Sequence, residues 1–318
     1  MGLLSKIFSP LSPKGNRGRI ALQFSPNRVQ IVSIHHDYKD HPHLDVCRSL
    51  STSTPVKHAL LDIVRGYKLS NIPTSIVLDP EDYQLFPADS PDLPRDEWQA
   101  AMRWQIQDHI DQPASEMVVE LFDIPPYQSG ARTGRIYIAA APESIIKQRS
   151  HITIQSGFAL ENITIPEISL SALASQLPEQ PTGLGLLQLG RSGGLLMIIR
   201  QQTLYLARSI INSTSLMAES NTFSDASKDE VALEVRRTLD FFEGTFDQPP
   251  IEALYMLPDD QPLAGLQQAL TQRLDIQVKE FNIRQIIDTP PELSDRDLAQ
   301  ALPAISAAIM TNSKPGGW

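Results

Sequence analysis

A single cysteine, Cys47, stands in a chain of 318 residues, so no internal disulfide can form and a reducing cytoplasm is the expected setting. Long apolar runs are missing as well: none approaches the roughly 20 residues that a membrane-spanning helix needs. Basic residues are outnumbered, with 27 Lys and Arg against 37 Asp and Glu, and the net charge of -10 argues against a general nucleic-acid partner, because no basic face offsets it. Cys47 has no paired histidine and lies in an expected strand, which makes it a buried structural thiol rather than a nucleophile. What is present is ordinary globular composition, in a chain long enough for two domains with their own cores.

The first nineteen residues, MGLLSKIFSPLSPKGNRGR, contain no acid. Their apolar stretch is too short for the core of a secretory signal, and no small-residue cleavage site follows it. Helical spacing would put Leu3, Leu4, Ile7 and Phe8 on one face with Lys6 near its rim, a pattern that suits an anionic lipid surface or the groove of a partner. The alternative is a disordered tail with a few apolar residues. Residues 1–19 are therefore set apart as a basic, apolar tail.

Beyond the tail the chain carries the same pattern twice. Residues 20–33 (IALQFSPNRVQIVS) and 186–199 (LLQLGRSGGLLMII) each read as a strand ending in Leu-Gln-apolar, a tight polar turn and a second strand. A third strand, an amphipathic helix and a further strand follow each copy, giving two βββαβ units in tandem. In the first unit, strands are expected at 20–25, 28–34 and 44–50, a helix at 56–68 and a strand at 75–79. The loop between the second and third strands, residues 35–43, holds four histidines in nine positions. It has no accepted zinc spacing and reads as a solvated loop.

Between the units, residues 86–165 read as an insert in the order helix, strand, strand, helix, strand. Its first helix, 94–110, carries Trp98, Met102, Ile106 and Ile110 as a core stripe, with Trp104 off that stripe. The second, 142–156, stops at Gly157, whose freedom at positive φ suits a helix cap. Residues 166–182 are expected to return as a helix to the first domain, 183–290 to form the second domain, 291–310 a C-terminal helix and 311–318 a flexible tail. Residues 213–228 are polar and read as a flexible connection before a helix at 230–244, whose acids belong to its solvated face and first turn.

A duplicated unit of this kind resembles the actin, Hsp70 and sugar-kinase fold, an α/β, ribonuclease H-like architecture. The insert narrows the resemblance. The helix 98–110, Gln112-Pro113 and the strand 117–122 look like the inserted subdomain of the FtsA and PilM branch, with Trp104-Gln105 and His109-Ile110-Asp111 at the places of that branch's Trp-Glu pair and Tyr-Ile-Pro turn. Residues 234–242 resemble the PilM-like Glu-Ile-x-Arg-Ser-Leu-Asp-Tyr-Tyr helix. The likeness covers about residues 20–310, and the start MGLLSKIF with eroded loops looks most like the mannose-sensitive haemagglutinin (MSHA) group of pilus systems.

An actin-like nucleotide site needs glycine-bearing hairpins whose N–H groups meet phosphate, an Asp in each that holds Mg²⁺ through water, and a Gly-Gly turn for adenine. At the first loop the PilM-like Gly-Ile-Asp-Ile-Gly-Ser-Ser-Ser-Val-Lys aligns with residues 21–30. Gln23 stands for the Asp, Ser25 for the second glycine and Gln30 for the Lys. At the second loop Gln188 replaces Asp, while Gly190, Gly193 and Gly194 remain. In the adenosine region, Pro258, Asp259 and Asp260 stand where glycines belong. The expectation is a scaffold with degenerate loops that neither hydrolyses nor tightly binds ATP, hence no cofactor; Mg-ATP would bind only if the degenerate site still did.

The resemblance implies an adaptor, peripheral at the cytoplasmic face of the inner membrane, that binds the cytosolic tail of a PilN-like bitopic pilus assembly protein. Its groove would lie between the first domain and the insert. Candidate contacts are Trp104, or its packing against the first domain instead, with Val119, Leu121, Ile136 and Ile138 on two strand edges. An anionic membrane surface and self-association are further partner expectations; nucleic acid is not one. The alternative is a nucleotide-dependent ATPase of the same fold that drives pilus assembly.

Overall fold

Both faces of the first strand are apolar, which places it in the middle of a layered structure. In the computed structural model, which describes residues 18–310 except 54, 111, 126–133, 191–192, 211–223 and 259–264, that strand is β1 (Gly18–Ser25). It pairs with β2 (Arg28–His36) through a two-residue turn, and β3 (Pro42–Ser51) completes a meander. Helix α1 (Val56–Gly66) then crosses to β4 (Pro73–Val77), which runs parallel to β1. After the insert, α3 (Glu143–Gln155) leads to β8 (Ala159–Thr164), parallel to β4, and α4 (Pro166–Ala174) follows. Gly157, at φ +87, ends α3 as expected from the sequence.

The second half repeats the plan. Strands β9 (Leu184–Gly190), β10 (Gly193–Arg200) and β11 (Thr203–Ile210) form the meander. Helix α5 (Asp225–Phe246), started by the Ser224 side chain, crosses to β12 (Ala253–Met256), and α6 (Leu266–Arg273) leads to β13 (Gln277–Glu280). The two five-stranded sheets run β3-β2-β1-β4-β8 and β11-β10-β9-β12-β13, the same order twice.

Alternation along the strands divides each sheet into two faces. Ile20, Leu22 and Phe24 of β1 look outward to α1 and α3, as Leu187 and Leu189 of β9 look outward to α5 and α6. Ala21, Val32, Ile34 and Val77 look inward, as do Leu184, Leu186, Met197 and Ile199, and one apolar core joins them. Its centre is held by α4 and by α8 (Leu302–Ile309), which follows the short α7 (Asp295–Gln300). Every residue of α8 is buried, as its all-round apolar, small-residue composition dictates. Helix α8 closes the second half of the chain yet packs on β1, β2 and β4 of the first; α4 closes the first half and contacts α8, β10 and β11.

The 86–165 segment divides. Its third strand, β8, and the helix α3 belong to the first sheet and its outer layer, because the parallel register to β4 claims them. What remains is a three-stranded sheet, β5-β7-β6, made of β5 (Gln84–Asp89), β6 (Met117–Ile124) and β7 (Arg135–Pro142). One face of it is covered by α2 (Trp98–Gln105), which is shorter than the expected helix because 3₁₀ turns at Arg95–Glu97 and Ile106–His109 flank it. The other face meets the second half through Tyr137, Ile124, Phe242 and Phe246. The Tyr137 hydroxyl accepts from the Ala207 backbone N–H at 2.8 Å and donates to its carbonyl at 3.3 Å.

Candidate functional site

The inner face of the first sheet ends in a row of side chains one step beyond the shared core. Gln23 sits opposite Gln30 on β2, beside Val77 on β4, and Val77 sits beside Thr164 on β8. Gln30 is 3% exposed and Gln23 9%. The Oε1 atom of Gln23, Oγ1 of Thr164 and Oδ1 of Asn162, one row lower on the same face, are buried without a hydrogen-bond partner. Ser25 and Arg28 close the hairpin over Pro26-Asn27 and are half-buried. This end of the sheet, at the carboxyl termini of its parallel strands, is where open α/β sheets place ligands.

On the second sheet Gln188 lies on the inward face beyond Leu186, half-buried and opposite Leu195. Gly190 pairs with Gly193, and Gly194 with Leu189 and Ile210. A Cβ on Gly194 would stand 2.5 Å from Leu189 Cδ2 and 3.0 Å from the Ile210 carbonyl, so sheet packing by itself favours glycine here. Pro258 follows β12, where the Leu257 N–H donates to the Leu187 carbonyl at 2.8 Å. Asp259 and Asp260 lie outside the described residues.

Nearby acids are engaged elsewhere. Asp79 accepts from the Glu81 N–H at 3.1 Å. Glu167, buried in the first turn of α4, accepts the Tyr83 hydroxyl at 2.5 Å. Burial raises the Glu167 carboxyl above the usual range, partly offset by that hydrogen bond. Among the described residues, the row between the sheets thus offers carboxamides and a hydroxyl and no carboxylate, which does not match the donor set of a magnesium nucleotide. Among the described residues no cluster of three or more His, Cys, Asp or Glu is arranged to hold a metal ion. Burial likewise pushes the Cys47 thiol up to about 11, that of an unreactive group.

The insert separates the candidate contacts. Val119, Ile136 and Ile138 are buried under α2, with Leu121 partly so, and they form the insert's own core rather than a surface. Strand alternation turned these four away from the seam with the first domain. Trp98 joins the same core, its Nε1–H donating to the Leu93 carbonyl at 2.9 Å and its ring covered by the Arg95 guanidinium. Trp104 is 75% exposed, so it packs neither there nor on the first domain. At the seam, Leu78, Tyr83, Val118 and Ile165 line a small apolar void of ≈ 10 Å³. Leu3, Leu4, Lys6, Ile7 and Phe8 lie outside the described residues; among the described residues no helix is long and apolar enough to cross a membrane. The sequence reading missed the Tyr137 clamp and the Glu167–Tyr83 pair, whose one signal was an acid inside an otherwise uncharged PEISLSALA helix.

No family model matches the chain, and no curated protein does. Solved structures do. A chain of a PilM-PilN type IV pilus biogenesis complex is 19% identical, with a TM-score of 0.65 over 92% of this chain and 96% of that one. The cytoplasmic domain of EpsL, an inner membrane component of the type II secretion system of Vibrio cholerae, is 10% identical, with a TM-score of 0.49 over 92% and 98%. A Bacteroides thetaiotaomicron protein with an actin-like ATPase fold is 12% identical, with a TM-score of 0.45 over 91% and 96%. The first likeness establishes the fold, the duplicated actin-like architecture in its PilM-type form.

Proposed function

We propose that this chain is a PilM-like adaptor of a type IV pilus assembly system, of the MSHA type that its MGLLSKIF start and eroded loops resemble. It works at the cytoplasmic face of the inner membrane and holds the cytosolic tail of a PilN-like bitopic protein. Leu3, Leu4, Ile7 and Phe8, with Lys6, help seat it on anionic lipid or on the partner. Nucleotide binding is lost, and the protein is not an ATPase. The observation that carries this reading is the uncharged, partly unpartnered row Gln30, Gln23 and Thr164 at the inner sheet end of a PilM-type fold. A fold of this size without the donors for a metal nucleotide retains its value as a surface.

Titration calorimetry tests both parts. A synthetic peptide of the cytosolic tail of a PilN-like protein from the same organism should bind, and Mg-ATP at millimolar concentration should give no heat. Low-micromolar Mg-ATP affinity would replace the adaptor reading with the nucleotide-driven one. Silence toward the peptide, with the protein folded, would remove the proposed partner.

A further inference from the structure

We infer that the loop between β2 and β3 and the segment around Asp288 form a proton-sensitive strap, fastening the second half of the chain to the edge of the first sheet. The strap lies where the chain returns from β13 toward α7 and α8. Its backbone part is a parallel bridge between His43 and Asp288, in which the Leu44 N–H donates to the Asp288 carbonyl at 2.9 Å and the Asp288 N–H to the Pro42 carbonyl at 3.1 Å.

The side chains add a second fastening. His41 Nε2 lies 3.3 Å from Asp288 Oδ1, and His43 Nδ1 lies 3.2 Å from Asp288 Oδ2, so two imidazoles bracket one carboxylate. The other nitrogen of His43, Nε2, faces Asp37 Oδ2 at 3.8 Å. His35 Nδ1 meets both oxygens of Asp45 at 2.8 Å, and its ring stacks on His43 with centroids 5.0 Å apart. His43 therefore has a carboxylate before each of its nitrogens. A neutral imidazole carries one N–H and one lone pair, so only the imidazolium can present a hydrogen to both. Deprotonation turns a lone pair of His43 toward a carboxylate.

The surrounding charges set the sign. Within the loop Lys39 adds one positive and Asp40 one negative charge. The Asp37 carboxyl is held below its usual range, chiefly by the His41 backbone amide, with the Lys39 amide and the charges of His43 and His41 adding, so it remains ionised in mild acid. On β3, Arg48 is engaged by the Tyr67 hydroxyl. On the second half, Arg284 is held by Asp295, the Thr289 hydroxyl and the Leu293 carbonyl. His36 is buried beside the loop and faces the inner core by strand alternation. With the imidazoles charged, Asp37, Asp45 and Asp288 each face an imidazolium ion. With the imidazoles neutral, those attractions are lost. The strap is tight while its histidines are charged and loosens when they are neutral.

Hydrogen exchange of the Leu44 and Asp288 amides, corrected for intrinsic exchange at about pH 5.5 and about pH 8, reads the strap directly. Protection should fall about fivefold across that interval in the unaltered protein, the size expected of two half-exposed ion pairs. In the His41→Gln/His43→Gln variant, and separately in Asp288→Asn, whose backbone bridge is retained, it should change less than about twofold. An unaltered protein whose protection does not fall, or variants that fall as far as it does, would overturn the inference.

Discussion

Two hairpins occupy equivalent places in the two halves, and each carries a glutamine on its inner face, yet the chain treats them differently. In the first, Gln23 is buried against Gln30, with its carbonyl oxygen unpartnered; in the second, Gln188 is half-buried beside turn glycines. The surviving Gly194 looks like a relic of phosphate binding when read alone. Its Cβ direction is crowded by Leu189 and the Ile210 carbonyl, which gives sheet packing a reason of its own to favour glycine there. A duplicated topology thus repeats backbone geometry where packing favours it, while side chains at equivalent places differ in burial and partners.

The comparison is sharpest where the halves are interlocked. Because α8 of the second half fills the inner face of the first sheet, the halves should unfold together, with fluorescence from the insert's tryptophans and far-ultraviolet circular dichroism giving one midpoint in urea. Ile305→Ala should lower that stability by about 2 to 4 kcal/mol while leaving the two probes coincident. Two separated midpoints would mean that the halves are independent bodies merely in contact.

Gly194→Ala comes next, at a cost of about 1 to 3 kcal/mol from overpacking. Gly66, the last residue of α1, has no atom within 4 Å of the place a Cβ would take, and Gly66→Ala should instead stabilise by about 0.5 kcal/mol. Equal effects at the two sites would break the claim that packing preserves the second hairpin. A smaller difference is expected between the glutamines. Gln23→Met removes a buried, unpartnered carbonyl and should gain up to about 1 kcal/mol, whereas Gln188→Met should stay within about 0.5 kcal/mol of the unaltered protein. Chemical denaturation of all four variants checks both pairs.

The duplication and the order of elements within each unit were legible in the sequence, because two-residue periodicity and turn residues are local signals. Four features were not. The pairing of β8 with β4 is decided by parallel register across the whole insert, which no local pattern records. The exchange of α4 and α8 between the halves depends on which sheet each buried helix reaches; the apolar, small-residue run LPAISAAI announced burial but not the address. His41 and His43 looked like a solvated loop because Asp288, their carboxylate, is remote in sequence. For Val119, Ile136 and Ile138, alternation was visible, but which of the two faces met α2 was not.

The smallest effect on stability is expected at Trp104, and that is what makes it informative. The insert places Trp98 and Met102 of α2, with Ile106 of the following turn, against β6 and β7, and leaves Trp104 on the outer side of α2 with 75% of its surface in water. A side chain so exposed contributes little to folding, so Trp104→Ala should alter stability by less than about 0.5 kcal/mol, while Met102→Ala, from the covered side of the same helix, should cost about 2 to 5 kcal/mol. A large exposed indole is also the side-chain type that anchors interfaces. If the insert carries the adaptor's partner, Trp104→Ala should therefore weaken binding of the PilN-like tail peptide by about 2 kcal/mol without changing the melting curve. An affinity unchanged by that substitution would move the docking surface off α2, whereas a destabilised variant would mean that Trp104 is packed against something in solution even before the partner arrives.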